Sequence, residues 1–361
     1  METKTYKGMK CRRMGNTGLW VSEIGLGTWK WGDPEYDGSR VGDHQGFDIL
    51  DSALELGIIH WDSASSYNMA SGNSERLLGR YFASRPSYVR DKVVLATKIS
   101  NPAREEHEMD RDFSPNESGA SRKYIMQEVQ RGLDRLQTDR IDVLYIHQPT
   151  LLADGTWETP LEETWSAMDD LVSMGLVNYI ALSNRTASQI EEEMSVVESI
   201  ATNASRRIIA VQNWYNLAER NKVATEGDDR QDGSEKDFLE FVAKKKIGLI
   251  PFFPLASGLL TGRYRRNNLD DTGRIMVEGE YWQKMFLTDR NLDIVDKLAE
   301  IAKKKDCSMA QLAIAWLLSH EVVSSVIAGV TKMEQLEDNA KAPSVELTPE
   351  ELKEIDEITA G

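Results

Sequence analysis

IIHWD (58–62), VVLATK (93–98), DVLYIH (142–147), YIALSN (179–184) and IIAVQ (208–212) share one pattern: an apolar run that turns polar only at its end. A short apolar run bounded by turn residues reads as a strand packed on both faces, the habit of parallel sheets covered by helices. The runs close on Asp62, Lys98, His147, Ser183 with Asn184, and Gln212. A polar group admitted only at the tip implies that the tip opens on a site. Recurrence of this along alternating strands and helices predicts that the tips converge, as they do at the mouth of an eight-stranded parallel β/α barrel.

The rest of the chain extends the alternation. EIGLGTW (23–29) reads as the first strand, ending near Gly27 and Trp29; IGLIPF (247–252) and VVSSVIAG (322–329) read as the seventh and eighth. Between them, segments such as GFDILDSALELG (46–57), SRKYIMQEVQRGLDRL (121–136) and SMAQLAIAWLLSH (308–320) carry apolar residues at spacing three and four, the helical period. KCRRMGNTGLWVS (10–22) has turn chemistry at Asn16-Thr17-Gly18 and reads as a hairpin that closes the barrel bottom. MEQLEDNAKA (333–342) and TPEELKEIDEIT (348–359) add two terminal helices, the second opened by a Thr348–Glu351 capping box. The expected fold class is α/β: a (β/α)8 TIM barrel with an N-terminal β-hairpin and two extra C-terminal helices, one domain over 1–361. The connections 99–120, 213–236 and 252–288 are the long ones. All three follow strands and so belong to the face of the polar tips, where long loops are commonly functional. The polar stretch 101–120 fits an ordered loop and an unstructured one equally.

Bulk composition narrows the function. A formal net charge of −16 argues against nucleic acid and anionic membrane as partners. Two cysteines, Cys11 and Cys307, make no disulfide framework, and five scattered histidines give no metal-ligand spacing, so no metal is expected. The first residues lack the apolar core of a signal peptide, and the longest apolar stretch is interrupted by Ser319, His320 and Glu321. A cytoplasmic protein is expected, as a monomer or homo-oligomer, with a small-molecule substrate.

Asp62, Tyr67, Lys98 and His147 come from three consecutive βα units and have a joint chemical logic. An ammonium about 4 Å from a phenolate interacts by roughly 4 kcal/mol at an effective dielectric near 20, enough to lower the phenol pKa by up to about three units. Asp62 would keep Lys98 charged, and His147 would orient a carbonyl or help set the proton affinity of Tyr67. The product is an acid aimed at a carbonyl oxygen. Ser183, Asn184 and Gln212 suit a carboxamide, Phe252 a flat ring, and the 255–258 backbone a pyrophosphate. Thr331 and Lys332 stand at a strand–loop–helix junction suited to a further phosphate. Trp29, Trp31, Trp214 and Gln148 are candidate walls of a substrate pocket. A lysine at a strand tip also admits a Schiff-base aldolase through Lys98, which pairing with Asp62 would disfavour.

Along nearly its whole length the chain resembles the aldo-keto reductases, through RRMGNTGLWVSEIGLGTW, WDSASSY, GNSERLLGR, VVLATK, DRIDVLYIHQP, GLVNYIALSN, VQNWYNL, PFFPLASGLLTGRY and GVTKMEQLEDN. It is nearer the bacterial, plant and potassium-channel β-subunit branch. The resemblance implies NADPH as cofactor, with NADH as the alternative, and no Rossmann domain. It implies a catalytic tetrad of Asp62, Tyr67, Lys98 and His147. Its cofactor residues would be Thr28, Trp29, Asp62, Ser183, Asn184, Gln212, Phe252, Phe253, Pro254, Leu255, Ser257, Gly258, Gly329, Thr331, Lys332, Gln335, Asp338 and Asn339. The implied activity is reduction of an aldehyde or ketone, sugar-derived ones included; the channel branch also implies a cofactor-sensing subunit with little turnover. Asn68 stands where Gly is common, Gln148 where an aromatic is common, and Thr331 where Arg is common.

Overall fold

The computed structural model describes residues 2–104, 112–200, 207–226 and 230–360. Eight parallel strands run in chain order: β1 (Ile24–Gly27), β2 (His60–Asp62), β3 (Val94–Ile99), β4 (Ile141–Ile146), β5 (Val177–Ser183), β6 (Ile208–Trp214), β7 (Gly248–Phe252) and β8 (Val326–Gly329). They pair in sequence from β1 to β7, and β8 pairs back onto β1 through Val326↔Ile24 to Gly329↔Gly27. The seam between β7 and β8 closes by a single bridge, Leu249↔Val323, with Leu249 N donating to Val322 O at 2.8 Å and Ser324 N donating to Leu249 O at 3.0 Å. The expected barrel is therefore present. The eighth strand is shorter than the apolar run 322–329: its pairing with β1 begins at Val326↔Ile24, where β1 itself begins.

Two apolar shells hold the barrel. Inside, Val94, Ala96, Val143, Tyr145, Ala181, Ala210, Ile250 and Ile327 fill the bore, and Met14 and Val21 plug its bottom. Outside, alternate strand residues such as Leu95, Leu144 and Leu182 pack on the helices, for example on Ile125, Val129, Met168 and Leu171. The plug comes from the expected hairpin, Met9–Arg13 with Trp20–Ser22, to which Thr3–Tyr6 adds a further antiparallel strand. Gly15 lets the plug approach: its φ is +58°, and a Cβ there would lie 2.4 Å from Ile209 O.

The helix Asp289–Lys304, between the third long connection and Met309–Ser319, has no counterpart in the sequence expectations. Its signal is present: Leu292, Val295, Leu298 and Ile301 are buried at helical spacing, and Thr288 Oγ1 accepts from Asn291 N at 3.2 Å as the N-cap. Helix Met333–Asn339 stops short of the expected residue 342, where a 3₁₀ turn carrying Pro343 takes over.

The long connections lie at the strand tips. The connection after β6 holds a 3₁₀ turn Arg220–Ala224 and a strand pair; that after β7 holds Ala256–Thr261, another strand pair, and the short helices Arg274–Val277 and Glu280–Phe286. Of 99–120, residues 105–111 lie outside the described residues. Among the described residues no helix is long and apolar enough to cross a membrane, and no group of three or more His, Cys, Asp or Glu residues is arranged to hold a metal.

Candidate active site at the strand C-termini

A cavity of about 1020 Å³ opens at the C-terminal ends of the strands. Asp62 ends β2, and Lys98 lies one residue before the end of β3. Parallel pairing brings both side chains into the mouth, where each is 1% exposed. Lys98 Nζ donates to both oxygens of Asp62 at 2.6 and 2.7 Å, to Ser63 O at 2.8 Å, and meets Tyr67 Oη at 2.8 Å. Tyr67 Oη donates to Asp62 Oδ2 at 3.0 Å, and Gln212 Nε2 donates to Asp62 Oδ1 at 2.8 Å. The carboxylate is thus the hub on which phenol, ammonium and amide converge.

This hub corrects one expectation. Lys98 was expected to make Tyr67 more acidic. Instead, burial first and the Asp62 carboxylate second push the phenol well above its ordinary value of 10.0. The ammonium is already neutralised by Asp62, and the phenol donates its proton toward the negative charge. Tyr67 therefore rests as a neutral phenol. Burial also lowers the Lys98 pKa, with Asp62 opposing the shift.

His147 follows β4, its ring 6.0 Å from that of Tyr67 and steeply inclined to it. Burial, then Lys98, then Arg185 lower its pKa to about 3, so the imidazole is neutral. Its Nδ1 lies 3.3 Å from Ser66 Oγ and 3.3 Å from Asn101 Nδ2. Asn184 Nδ2 fixes the backbone by donating to His147 O at 2.9 Å.

Tyr67 opens a tight segment in which Asn68, Met69 and Ala70 have φ of 51°, 60° and 61°. The left-handed region explains why a glycine fits after such a tyrosine; asparagine is a workable replacement, and here Asn68 Nδ2 donates to Trp31 O at 2.8 Å.

Of the other expected cofactor and substrate residues, Trp29, Gln148, Ser183, Asn184, Gln212, Trp214, Phe252, Phe253, Pro254, Leu255, Ser257, Gly258, Gly329, Thr331, Gln335, Asp338 and Asn339 line the cavity. Ser257 and Gly258 have left-handed backbones, and among the described residues the buried Ser257 Oγ has no hydrogen-bond partner, nor has Trp214 Nε1. Three of the expected cofactor and substrate residues do not line the cavity, and Lys98 lies behind its lining. Thr28 Oγ1 donates to Asp62 O at 3.0 Å, which braces the hub from behind. Trp31 is 1% exposed, and its indole donates to Val330 O at 2.8 Å. Lys332 sits just before the short helix Met333–Asn339, where Gln335 Oε1 already accepts from the amides of Thr331 and Lys332 at 2.8 and 3.2 Å.

Sequence reading also missed residues that do line the cavity: Ser66 and Asn101 beside His147, and the cations Lys30, Arg40, Arg263 and Arg274. Arg274 packs against Trp29, Phe253 and Trp282, its guanidinium carbon 4.3, 5.3 and 5.1 Å from their ring centroids, and burial lowers its pKa to about 10. Lys30, Arg40 and Arg274 share the Glu278 carboxylate at 3.0, 3.9 and 3.6 Å. Most of these residues sit in loops without periodicity and Arg274 opens a short helix, so only their position after strands pointed to them.

The chain is 33% identical over 353 residues to a probable voltage-gated potassium channel subunit beta of Oryza sativa subsp. japonica, covering 97% of this chain and 96% of that protein. It is 30% identical over 360 residues to the L-glyceraldehyde 3-phosphate reductase of Escherichia coli O157:H7, covering 98% and 94%. It is 29% identical over 365 residues to the versiconal hemiacetal acetate reductase of Aspergillus parasiticus, covering 97% and 96%. The model of the Aldo/keto reductase family matches residues 23–360. The barrel, its polar mouth and these likenesses agree: this chain belongs to the aldo/keto reductase family, and its reductase-named relatives support an oxidoreductase role.

Proposed function

We propose that the chain is an NADPH-dependent reductase of aldehyde or ketone carbonyls, working in the cytoplasm as one domain over 1–361. The observation that carries this is the buried contact of Tyr67 Oη with Lys98 Nζ at 2.8 Å and with Asp62 at 3.0 Å on the cavity floor. The residues around the cavity fit the dinucleotide. Ser183, Asn184 and Gln212 would hold the carboxamide, Phe252 the nicotinamide ring, and Ser257 with the Leu255–Gly258 backbone the pyrophosphate. The orphaned Ser257 Oγ and the lining cations Arg263 and Arg274 support phosphate binding there. When bound, the cofactor supplies a hydride to the carbonyl carbon.

The chain's own residues do the rest. Tyr67 passes its proton to the carbonyl oxygen as negative charge builds there. The phenolate left behind faces the Lys98 ammonium, which Asp62 and Ser63 O hold in place. Neutral His147 orients the carbonyl. Paired with Asp62 as an ammonium, its three protons shared among four oxygen atoms, Lys98 has no free electron pair, which weighs against Schiff-base chemistry. Tyr67→Phe is expected to lower kcat for a carbonyl panel by about 10²–10⁴-fold while NADPH still quenches protein fluorescence on binding. Full turnover by that variant would overturn the assignment. The likeness to proteins named channel β subunits favours one other reading, a cofactor-sensing subunit; stoichiometric NADPH binding by the unaltered protein without turnover of any carbonyl would select it.

A further inference from the structure

We propose that Asn101 and Gln148 are positioning residues that fix the tautomer of His147, holding its proton on Nε2 so that an N–H donor faces the substrate oxygen. The inference deepens the reductase reading and rests on it.

Gln148 Nε2 donates to Asn101 Oδ1 at 2.5 Å. That contact turns the Asn101 amide so that its nitrogen points the other way, and Asn101 Nδ2 lies 3.3 Å from His147 Nδ1. An amide nitrogen can only donate. His147 Nδ1 must therefore accept, and a neutral imidazole that accepts at Nδ1 carries its proton at Nε2. Ser66 Oγ, 3.3 Å from the same nitrogen, has a rotatable proton and can donate alongside. Nε2 has no hydrogen-bond partner among the described residues, and His147 lines the cavity beside Tyr67.

The local fold is built to hold Asn101 there. Ser100 adopts φ of 100°, which turns the chain sharply after β3. The buried Tyr124 hydroxyl donates to Asn101 O at 2.7 Å. His147 N donates to Ile99 O at 2.7 Å, and Gln148 N to Ser100 Oγ at 3.3 Å. The last two of these bonds, with the two amide contacts of the relay, tie the exit of β3 to the exit of β4. Each end supplies one amide of the relay. This gives Gln148 a task that an aromatic at its position could not perform.

The test is the ¹⁵N NMR spectrum of the histidines at neutral pH, with the His147 signals assigned by their loss in His147→Gln. In the unaltered protein the proton is expected on Nε2. Asn101→Asp keeps the shape but replaces the donor with an acceptor, so the proton is expected to move to Nδ1. With it should go about 10²-fold in kcat, the order lost with one preorganised donor to a reacting oxygen, while NADPH affinity stays unchanged. Gln148→Glu, which can only accept from Asn101, should flip the Asn101 amide and shift the tautomer the same way; it guards against a folding defect peculiar to position 101. A proton on Nδ1 in the unaltered protein, or an Asn101→Asp spectrum still showing Nε2–H, overturns the proposal. An Nε2–H tautomer in a protein that reduces no carbonyl would instead overturn the reductase reading and leave the assignment of the proton standing.

Discussion

Two clusters of buried charge flank β3, and they differ in what they face. Lys98 turns into the barrel mouth and pairs with Asp62, both 1% exposed. Thr97, one residue earlier, turns outward and donates to Glu75 Oε1 at 2.5 Å. Behind it Arg135 Nε donates to Glu75 Oε2 at 2.7 Å, and Arg135 Nη2 to Glu128. The inner cluster balances one cation against one carboxylate and borders a cavity of about 1020 Å³. The outer cluster sets one guanidinium against two carboxylates, between helices Asn73–Ala83 and Arg122–Leu136, and none of its members lines that cavity. Buried ion pairs are thus no signature of chemistry by themselves. What separates a site from a structural knot is an opening, and a group beside it with a proton to give.

Removing the cation of each cluster should separate the two roles. Lys98→Met leaves the buried Asp62 carboxylate without its cation, with only the Tyr67 hydroxyl and the Gln212 amide donating to it, and removes the charge that receives the Tyr67 phenolate. Expected losses are about 3–5 kcal/mol in urea-denaturation stability and about 10³-fold in kcat. Arg135→Met strands Glu75 and Glu128 instead. It should cost a similar 3–5 kcal/mol, but kcat per folded molecule should stay close to that of the unaltered protein. If Arg135→Met lowered kcat as far as Lys98→Met does, the outer cluster would have to be counted part of the site.

The inner cluster was legible in sequence and the outer one was not, for a physical reason. Asp62, Lys98 and His147 interrupt apolar strands at their tips, where a polar residue stands out against a background of period two or none. Glu75, Glu128 and Arg135 sit in helices already rich in charge, where a solvated face is the ordinary reading. Yet Glu128 falls in the buried stripe with Ile125, Val129 and Gly132, so its position rather than its type carried the signal. The same distinction explains the rest of the comparison. The barrel order and its polar tips follow from hydrophobic periodicity. The inward turn of Trp31, the occupied amides before Met333 and the cations of the β7 connection depend on loop paths that no periodicity encodes. The direction of the Tyr67 shift depends on which partner the proton faces, and only geometry shows that it faces Asp62.

The smallest effect is the most discriminating about charge balance. Two carboxylates around one guanidinium leave a buried surplus of negative charge. Burial, opposed by Arg135 and less strongly by Arg131 and reinforced by Glu75, raises the Glu128 pKa from 4.5 to about 7. Between those values the folded chain binds a proton that the unfolded chain releases, so this group's contribution to stability falls as pH rises from 4.5 through 7. The buried histidines act in the opposite sense. His60, lowered from 6.5 to about 4, and His147, lowered to about 3, are protonated only in the unfolded chain at intermediate pH. Their contribution is complete above 6.5 and is lost as pH falls toward 4 and below. Glu128→Gln removes the first effect and leaves the second. Its stability relative to the unaltered protein should therefore increase from pH 5 to pH 7.5, by about 2 kcal/mol, measured as the difference between urea-denaturation curves at the two pH values. A difference independent of pH would mean that Arg135 already satisfies both carboxylates as ions, and the surplus charge that distinguishes the outer cluster from the Asp62–Lys98 pair would not exist.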